Sequence, residues 1–587
     1  MTLTARLTKI ESSGLIRLAQ ADPDLEYIFR HALVQDATYE SLLKADRRTL
    51  HQAVGRTLES LYPDRLDEIA ATLGFHFEKA DELDKAVGYY IRAGESAARI
   101  YAVDESIELF RRALEIIPPT FPHEDLTHLY SQYGRVLELA GRFDAVIEVY
   151  EQMRTEAIKR KDLRMELGAL MAQAILRSTP SPLHNFAIAS QLCERALSIA
   201  RALDHREAQS RTYWILMLAT LFEGHLRESV SYGEQSLEIA RVVGNPERLA
   251  FVLNDIVRCY YVNGQAEKGR AANLEARALW QQLGNLPMLV DNLGTSAEYL
   301  FFSGQYAQAI SVAQEAYKIG KSIHNIWGQT FCLMMLGFSY MELGETEKAI
   351  QANQELISFD PRQTFMIAQI SSRCQLADIY SEFGDLKTGY NYSLSAVEQA
   401  RILEPGLQSA ALTALTRHEL LNGNPAEAER LFEKAIQHYD PENFTTFIPQ
   451  YVESARNELL MRKGEFSAAL EALDRILAIV DHLGIAFCRP EIMLRKAHAL
   501  IGLGRQDEAL AILEAAASLC ERIHSRRMLW KIHALASELQ NKAGHFTEAD
   551  EARRKARESL HFLIDHAPAD LRQSILQLPA AARLLGE

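Results

Sequence analysis

A turn glycine returns about every 40 residues along most of this chain, and that repeat limits the fold more than any other feature of the sequence. The ten glycines at the recurring position are Gly141, Gly224, Gly264, Gly304, Gly344, Gly384, Gly423, Gly464, Gly504 and Gly544. Tyr101 and His184 occupy the matching place in two weaker copies, which makes twelve turns spaced by 39 to 43 residues. A period held this closely predicts an array of similar units.

Each unit reads as two α-helices joined at this turn. Glycine adopts the left-handed backbone conformation that commonly ends a helix. Alanine recurs five and twelve residues after the turn, as at Ala309 and Ala316, and this spacing places both small side chains on one helix face. A two-helix unit cannot bury that face alone, so it must stack on the next unit. The sequence therefore predicts an all-α solenoid of helical hairpins over roughly residues 80–560.

The bulk composition agrees with an extended array. The chain has 587 residues, and a single compact core rarely grows past about 250–300 residues. A net charge of −15 gives no basic footprint for nucleic acid. The six cysteines form no Cys-x-x-Cys pair, which is typical of reduced thiols in a cytoplasmic protein. No apolar stretch reaches the length of a membrane-spanning helix, and the N-terminal residues lack a secretory signal. These features predict a cytoplasmic protein that binds neither nucleic acid nor membrane.

The motifs of catalysis, cofactor binding and metal binding are incomplete in this sequence. The Gly-Lys-Ser at 320–322 matches only the end of a phosphate-binding loop, because Glu315 stands where that loop needs its first glycine. His123 and His128 are one residue too far apart for a zinc-protease pair on one helix face. We therefore expect no enzymatic activity, no cofactor and no metal.

The repeat pattern resembles the tetratricopeptide repeat (TPR). Both have a tyrosine four residues before the glycine, as at Tyr260, Tyr340 and Tyr380, an aromatic residue two after it, and the two alanines. The period here exceeds the usual one of about 34 residues, and the closing proline is mostly missing. Such longer repeats occur in arrays attached to large bacterial signalling ATPases. The resemblance implies a right-handed α-α superhelix that binds other proteins.

The first 80 residues lie outside the repeat phase. Residues 14–20 and 26–29 are predicted as short strands joined by a turn at Asp22-Pro23-Asp24. The phrases FRHALVQDATYESLL, RRTLHQAVGRTLE and GFHFEKADELDKAVGYYIRAGESA resemble the stretch that follows the ATPase and winged-helix domains of bacterial STAND-type signalling proteins. Many of those proteins carry an adenylate/guanylate cyclase domain, and others are transcriptional regulators.

Repeat phase and resemblance together divide the chain into four parts. Residues 1–62 are predicted as a winged-helix remnant with junction helices, 63–118 as N-terminal helical repeats, 119–560 as the TPR-like solenoid and 561–587 as a C-terminal capping segment. The last residues resemble the natural end of such arrays, whereas Met1 falls where a winged helix would be finishing. We therefore expect a sensor module whose ATPase or cyclase domains are absent or encoded separately.

In TPR arrays the first helix of each unit lines a concave groove. By that resemblance, the positions 13, 10, 6 and 3 residues before each turn glycine face inward. In the central repeats these positions are rich in aromatic residues, Met and Arg, which are enriched at protein interfaces. The predicted groove consists of Arg211, Trp214, Leu218, Phe251, Asn254, Arg258, Tyr261, Glu298, Phe301, Phe331, Met334, Phe338 and Met341, and Leu221, Asp291 and Gly294 share its register. The alternative for the apolar members is that they form core between repeats.

The sequence leaves two functions open. The first is an interaction scaffold: a regulatory sensor arm that binds a protein or peptide in the groove and relays the signal to an ATPase or nucleotide cyclase domain. The second is an allosteric receptor for a small molecule enclosed by the superhelix, as in maltose-regulator-like arrays. A thermal-shift screen separates the two, because stabilisation by a small ligand favours the receptor.

Overall fold

The computed structural model describes residues 3–20, 26–100, 102–179, 183–401, 405–437, 439 and 448–586. Within these residues the chain is almost entirely α-helical, apart from one two-stranded hairpin and two short 3₁₀ turns. The predicted turn at Asp22-Pro23-Asp24 and the repeat position Tyr101 lie outside the described residues. The chain forms two compact units, Met1–Gln173 and Ala174–Glu587.

The first unit begins with a helix and a β-hairpin and continues as a series of helices. Its elements are α1 (Leu3–Ser12), β1 (Ile16–Gln20), β2 (Glu26–Phe29), α2 (Ala32–Glu40), α3 (Lys44–Leu61), a 3₁₀ turn (Pro63–Arg65), α4 (Ala70–Lys79), α5 (Leu83–Arg99), α6 (Val103–Glu115), α7 (His123–Leu139), α8 (Phe143–Arg160) and α9 (Leu163–Ser178), which reaches into the second unit. The two strands pair antiparallel with Ile16 opposite Phe29, which confirms the two predicted strands. Leu73 and Phe77 of α4 are fully buried beside Ala86 of α5.

The second unit repeats one helical hairpin. Its elements are α10 (Phe186–Ala202), α11 (Arg206–Glu223), α12 (Leu226–Val243), α13 (Pro246–Val262), α14 (Ala266–Leu283), α15 (Leu286–Phe302), α16 (Tyr306–Ser322), α17 (Ile326–Leu343), α18 (Thr346–Ser358), a 3₁₀ turn (Pro361–Gln363), α19 (Met366–Glu382), α20 (Leu386–Ala400), α21 (Pro405–Leu421), α22 (Pro425–Ala435), α23 (Ile448–Arg462), α24 (Phe466–His482), α25 (Arg489–Gly502), α26 (Gln506–Ile523), α27 (Leu529–Lys542), α28 (Phe546–Asp565), α29 (Ala569–Leu576) and α30 (Pro579–Leu585). From α11 to α27 the odd-numbered helices open each hairpin and several touch the next odd-numbered helix, so we call them the inner helices. The all-α solenoid predicted from the repeat is confirmed.

Two recurring signals set the ends of these helices. All ten predicted turn glycines have a positive φ, between +66° and +91°, as the left-handed helix end requires. In the loops between one hairpin and the next, the side chains of Asn245, Asn285 and Asn325 cap the inner helices. Each accepts a hydrogen bond from the backbone N–H three residues later, at 3.0–3.2 Å. These caps lie 40 residues apart, and each contributes on the order of 1 kcal/mol. The caps are a second periodic signal of the array, beside the turn glycines.

Segments far apart in sequence meet inside the second unit. The N–H of Ala486 donates to the carbonyl oxygen of Phe302 at 2.7 Å, and the N–H of Arg526 donates to the carbonyl oxygen of Glu342 at 2.8 Å. Within each pair the donor lies 184 residues after the acceptor. The second hydrogen bond therefore repeats the first one repeat further along the chain. With repeats of about 40 residues, the superhelix comes back on itself after roughly five repeats.

Gly304→Ala is expected to destabilise the protein more than Gly504→Ala. The two glycines have φ values of +78° and +77°, so both substitutions carry the same left-handed backbone cost of about 1–2 kcal/mol. A Cβ at position 304 would also lie 2.8 Å from Cγ2 of Ile523, whereas at position 504 it would meet nothing within 4 Å. We expect an additional loss of about 1–3 kcal/mol for Gly304→Ala, measured by urea unfolding. Equal losses would mean that the contact between superhelical turns contributes nothing.

Candidate functional site

The predicted groove divides into a buried part and an accessible part. Phe301, Phe331 and Met334 are each 1% exposed, and Phe338 and Met341 are buried as well. All except Met341 belong to one core cluster with residues of α25–α27, and Leu218 is buried in a neighbouring cluster. From Phe301 to Met341 the predicted positions are packed core in place of an open groove, because the later superhelical turn covers them. Leu218 packs against residues of its neighbouring repeats.

The other predicted residues lie on a polar surface formed by α11, α13 and α15. Half-buried there are Arg211, Trp214, Phe251, Arg258, Tyr261 and Glu298, with Asn254 buried beneath them. The indole N–H of Trp214 donates to Oδ2 of Asp255 at 2.8 Å. The Asn254 amide donates to Oδ2 of Asp291 at 2.7 Å. The structure thus brings these residues together, and their binding of a partner stays a prediction.

A network of enclosed charges lies farther along the inner helices, where the sequence analysis predicted no site. Arg527, in the connection before α27, is its centre. Its Nε donates to Oε1 of Glu342 at 2.7 Å, Nη1 to Oε1 of Glu382 at 2.8 Å and Nη2 to Oε2 of Glu491 at 2.9 Å. Ser525 Oγ donates to the other carboxylate oxygen of Glu342 at 2.7 Å. One guanidinium therefore holds carboxylates from three inner helices, since its forked donors suit several acceptors at once.

Two further arginines extend the network. Arg417 Nη1 donates to Oδ1 of Asp378 at 3.0 Å, and Arg495 Nη2 donates to Oε1 of Glu491 at 3.0 Å. Burial alone would raise the pKa of Glu491, but the surrounding guanidinium groups bring that pKa well below its usual range. For Glu342, burial outweighs Arg527 and raises the pKa. Glu491 is therefore the carboxylate that the network holds most firmly in its ionised form.

The network borders a cavity of about 620 Å³. Its lining includes four cationic side chains, four anionic ones and two histidines: Arg417, Arg462, Arg495, Lys531, Asp378, Glu382, Glu458, Glu491, His418 and His498. Burial lowers the pKa of both histidines, which keeps them uncharged at neutral pH. The charges in the described lining therefore balance. Small-molecule pockets have volumes of about 300–1,000 Å³, and this cavity falls within that range.

The sequence does contain a signal for this cavity. The inward register used for the groove, 13, 10, 6 and 3 residues before each turn glycine, continues beyond residue 341. Its later positions hold Asp378, Arg417, Tyr451, Ser454, Glu458, Met461, Glu491, Leu494, His498 and Lys531, which line this cavity or a neighbouring one of about 90 Å³. The prediction missed them because it stopped at the repeats rich in aromatic residues and Met.

The described residues contain no cluster of His, Cys, Asp and Glu that could hold a metal ion. Among the described helices, none is both long and apolar enough to cross a membrane. All six cysteines are buried free thiols. The Gly-Lys-Ser at 320–322 closes α16.

Comparison with known proteins supports the repeat assignment. Residues 288–556 match the family model of the MalT-like TPR region. The match covers just under half of the chain and includes every charged residue that lines the large cavity. No curated protein matches the chain significantly. A TPR-like array is therefore shown for this region, and the same turn glycines and asparagine caps continue before residue 288.

Proposed function

We propose that this chain is the sensor arm of a regulatory system and that it senses a small polar molecule bound in the charged cavity. The observation that carries the proposal is the cavity of about 620 Å³ between the inner helices. A peptide groove is less well supported, because Phe301, Phe331 and Met334 are packed core. The match to the MalT-like TPR region supports a regulatory role over a catalytic one.

The balanced charges of the lining favour a ligand without net charge. Arg417 is paired with Asp378 and Arg495 with Glu491, both at 3.0 Å. A ligand carrying excess charge would leave that charge without a partner in a partly buried site, at a cost in binding free energy. Neutral polyhydroxyl compounds and zwitterions both avoid this cost.

Binding is relayed through carboxylates that the cavity shares with Arg527. Glu382 and Glu491 line the cavity and also hold the guanidinium that connects α17 to α27. A ligand that competes for either carboxylate changes how firmly the superhelical turns are joined, and a ligand shifts an equilibrium only through such differential contacts.

The proposed recipient of the signal is a protein domain, an ATPase or a nucleotide cyclase. Leu33, Leu43 and Leu61 of the first unit are 83%, 72% and 63% exposed, and each is a candidate for a contact with that domain. In this proposal the array binds and relays, and any catalysis belongs to the recipient.

A thermal-shift screen with Leu421→Trp tests the proposal. The panel contains maltose, amino acids and, as charged compounds, nucleotides. We expect either maltose or the zwitterionic amino acids to raise Tm, with about 2.7 kcal/mol of added stability at 100 times the Kd of the ligand. Leu421 lines the cavity and is 49% exposed, so a tryptophan there fills the space and removes the shift. Leu503 is 37% exposed outside that lining, so Leu503→Trp should keep it. A shift that survives Leu421→Trp would place the ligand elsewhere, and no shift together with capture of a peptide would favour the scaffold.

A further inference from the structure

The charged cavity has a smaller neighbour, and the two adjoin at one group of charged residues. The larger cavity has a volume of about 620 Å³ and the smaller one about 90 Å³. Asp378, Arg417, Glu491 and Arg495 line both of them. A small molecule that occupies both spaces must therefore contact these side chains.

Within this shared group, Arg417 and Asp378 have unused hydrogen-bonding capacity. In the described structure the Arg417 guanidinium makes one hydrogen bond, from Nη1 to Oδ1 of Asp378 at 3.0 Å. Its Nη2 lies 3.9 Å from Oε1 of Glu491, which is too far for a hydrogen bond. Oδ2 of Asp378 accepts no hydrogen bond from the described residues. The site thus offers free cationic donors beside a free anionic acceptor.

These free atoms can be reached from the cavities. The Arg417 side chain is 18% exposed and that of Asp378 26%, although both lie among the inner helices. Their unpaired atoms are open to water, in contrast to Nε of Arg495, which is buried without a partner. A ligand in the cavities can therefore hydrogen-bond to both groups.

This arrangement is complementary to the head group of an α-amino acid. A guanidinium donates to a carboxylate through its planar N–H groups, and an ammonium donates to a carboxylate oxygen. The head group has no net charge, so it preserves the balance between cations and anions in the larger cavity. A polyol can also hydrogen-bond to these groups, and the smaller cavity distinguishes the two classes.

The smaller cavity suits a short apolar side chain. Tyr451, Phe487 and Ile492 contribute aromatic and aliphatic groups to its wall. The hydrogen-bonding atoms Oγ of Ser454 and Oδ1 of Asn457 are closed to water, so they do not line the open space. Its volume of about 90 Å³ is below the roughly 150 Å³ of a cavity that holds benzene, which leaves room for about three or four carbon atoms. A sugar ring is too large for this space, and its hydroxyl groups would lose hydrogen bonds there.

We propose that the ligand of the charged cavity is an α-amino acid with a branched aliphatic side chain, such as leucine or valine. Its carboxylate accepts hydrogen bonds from the free N–H groups of Arg417, and its ammonium donates to Oδ2 of Asp378. Its side chain enters the smaller cavity beside Phe487. The inference rests on the proposed function and names the ligand class of that same site. The ligand joins α19, α21 and the segment before α25.

Isothermal titration of the full chain with L-leucine and L-valine tests the proposal. Leucinamide lacks the carboxylate, 4-methylpentanoate lacks the ammonium, glycine lacks the side chain, and the side chain of tryptophan exceeds the smaller cavity. We expect leucine or valine to bind, and each of these four compounds to bind roughly tenfold or more weakly, because each loses one contact or does not fit. The comparison uses the unchanged protein, so it does not depend on the folding of a variant.

The double variant Arg417→Gln/Asp378→Asn tests the same contacts from the side of the protein. It removes both partners together and leaves neither charge of the pair unmatched, so circular dichroism should show an intact fold. We expect leucine affinity to fall roughly tenfold or more. Arg430→Gln on the neighbouring helix α22 is the matched control, because Arg430 is 53% exposed in a pair with Glu427. It should leave leucine binding unchanged, and equal losses in the two proteins would overturn the proposal.

Failure of this inference can be told apart from failure of the proposed function. If maltose binds, Leu421→Trp abolishes that binding and the amino acids do not bind, the cavity is a receptor site but the ligand class is wrong. Equal affinities for leucine and leucinamide, or for leucine and tryptophan, also overturn the inference. Binding by neither maltose nor any amino acid overturns the inference and the proposed function together.

Discussion

Arg527→Met is expected to lower the free energy of unfolding by about 3–5 kcal/mol. The substitution removes the donor shared by Glu342, Glu382 and Glu491, whose side chains are only 6%, 15% and 20% exposed. Buried carboxylates that lose their partner cost far more than the pair contributes when intact. Urea unfolding followed by circular dichroism measures the loss.

Arg554→Met is the matched control for this prediction. Arg554 also contacts two carboxylates, those of Glu551 and Glu558, but its side chain is 56% exposed on one helix surface. Exposed pairs of this kind contribute about 0–1 kcal/mol. Similar losses in Arg527→Met and Arg554→Met would contradict the structural role of the network. Adding Glu342→Leu to Arg527→Met should recover part of the loss, because one unpaired carboxylate disappears.

Phe331→Ala is expected to cost about 3–5 kcal/mol, the range for truncating a buried aromatic side chain. The Phe331 ring lies 5.2 Å from that of Phe365 and 5.7 Å from that of Trp327, measured between centroids. It also fills the space above Gly294, where a Cβ would come within 2.7 Å of it. Thermal and urea unfolding measure the loss.

Phe546→Ala provides the comparison, because Phe546 is 66% exposed and its truncation should change stability by no more than about 0.5 kcal/mol. Unchanged stability in Phe331→Ala would refute the packed core. Loss of partner binding in Phe331→Ala would not by itself identify a contact, since the array is weakened at the same time. Trp214→Ala tests the accessible surface more directly, because Trp214 is only half-buried.

The repeat predicted which face of each helix turns inward, but not what covers that face. Trp214 and Phe331 both lie in the inward register of an inner helix, yet Trp214 is half-buried whereas Phe331 is only 1% exposed. The difference depends on the small rotation between neighbouring repeats, which accumulates until the N–H of Ala486 reaches the carbonyl of Phe302. Local residue patterns set the hairpins, and no local pattern encodes the pitch of the superhelix.

The charged network shows the same limit. Arg417 and Glu491 lie in the inward register and were predictable from it. Arg527 lies in a connection between hairpins, outside that register, and its partner Glu342 is 185 residues away. A pairing over such a distance leaves no periodic trace in the sequence, so the centre of the network required the structure.

The hydrogen bonds between residues 184 positions apart also govern how the second unit folds. Arrays in which each repeat touches only its neighbours can grow one repeat at a time. In this chain Glu342 is synthesised long before Arg527, which at about 5–20 residues per second leaves it without that partner for roughly 10–40 s. Contacts of such sequence separation slow folding, because a long loop must close before they form. The ribosome-bound array is therefore expected to expose the apolar surface of α15 and α17 until α25–α27 emerge, and to need protection from aggregation during that interval.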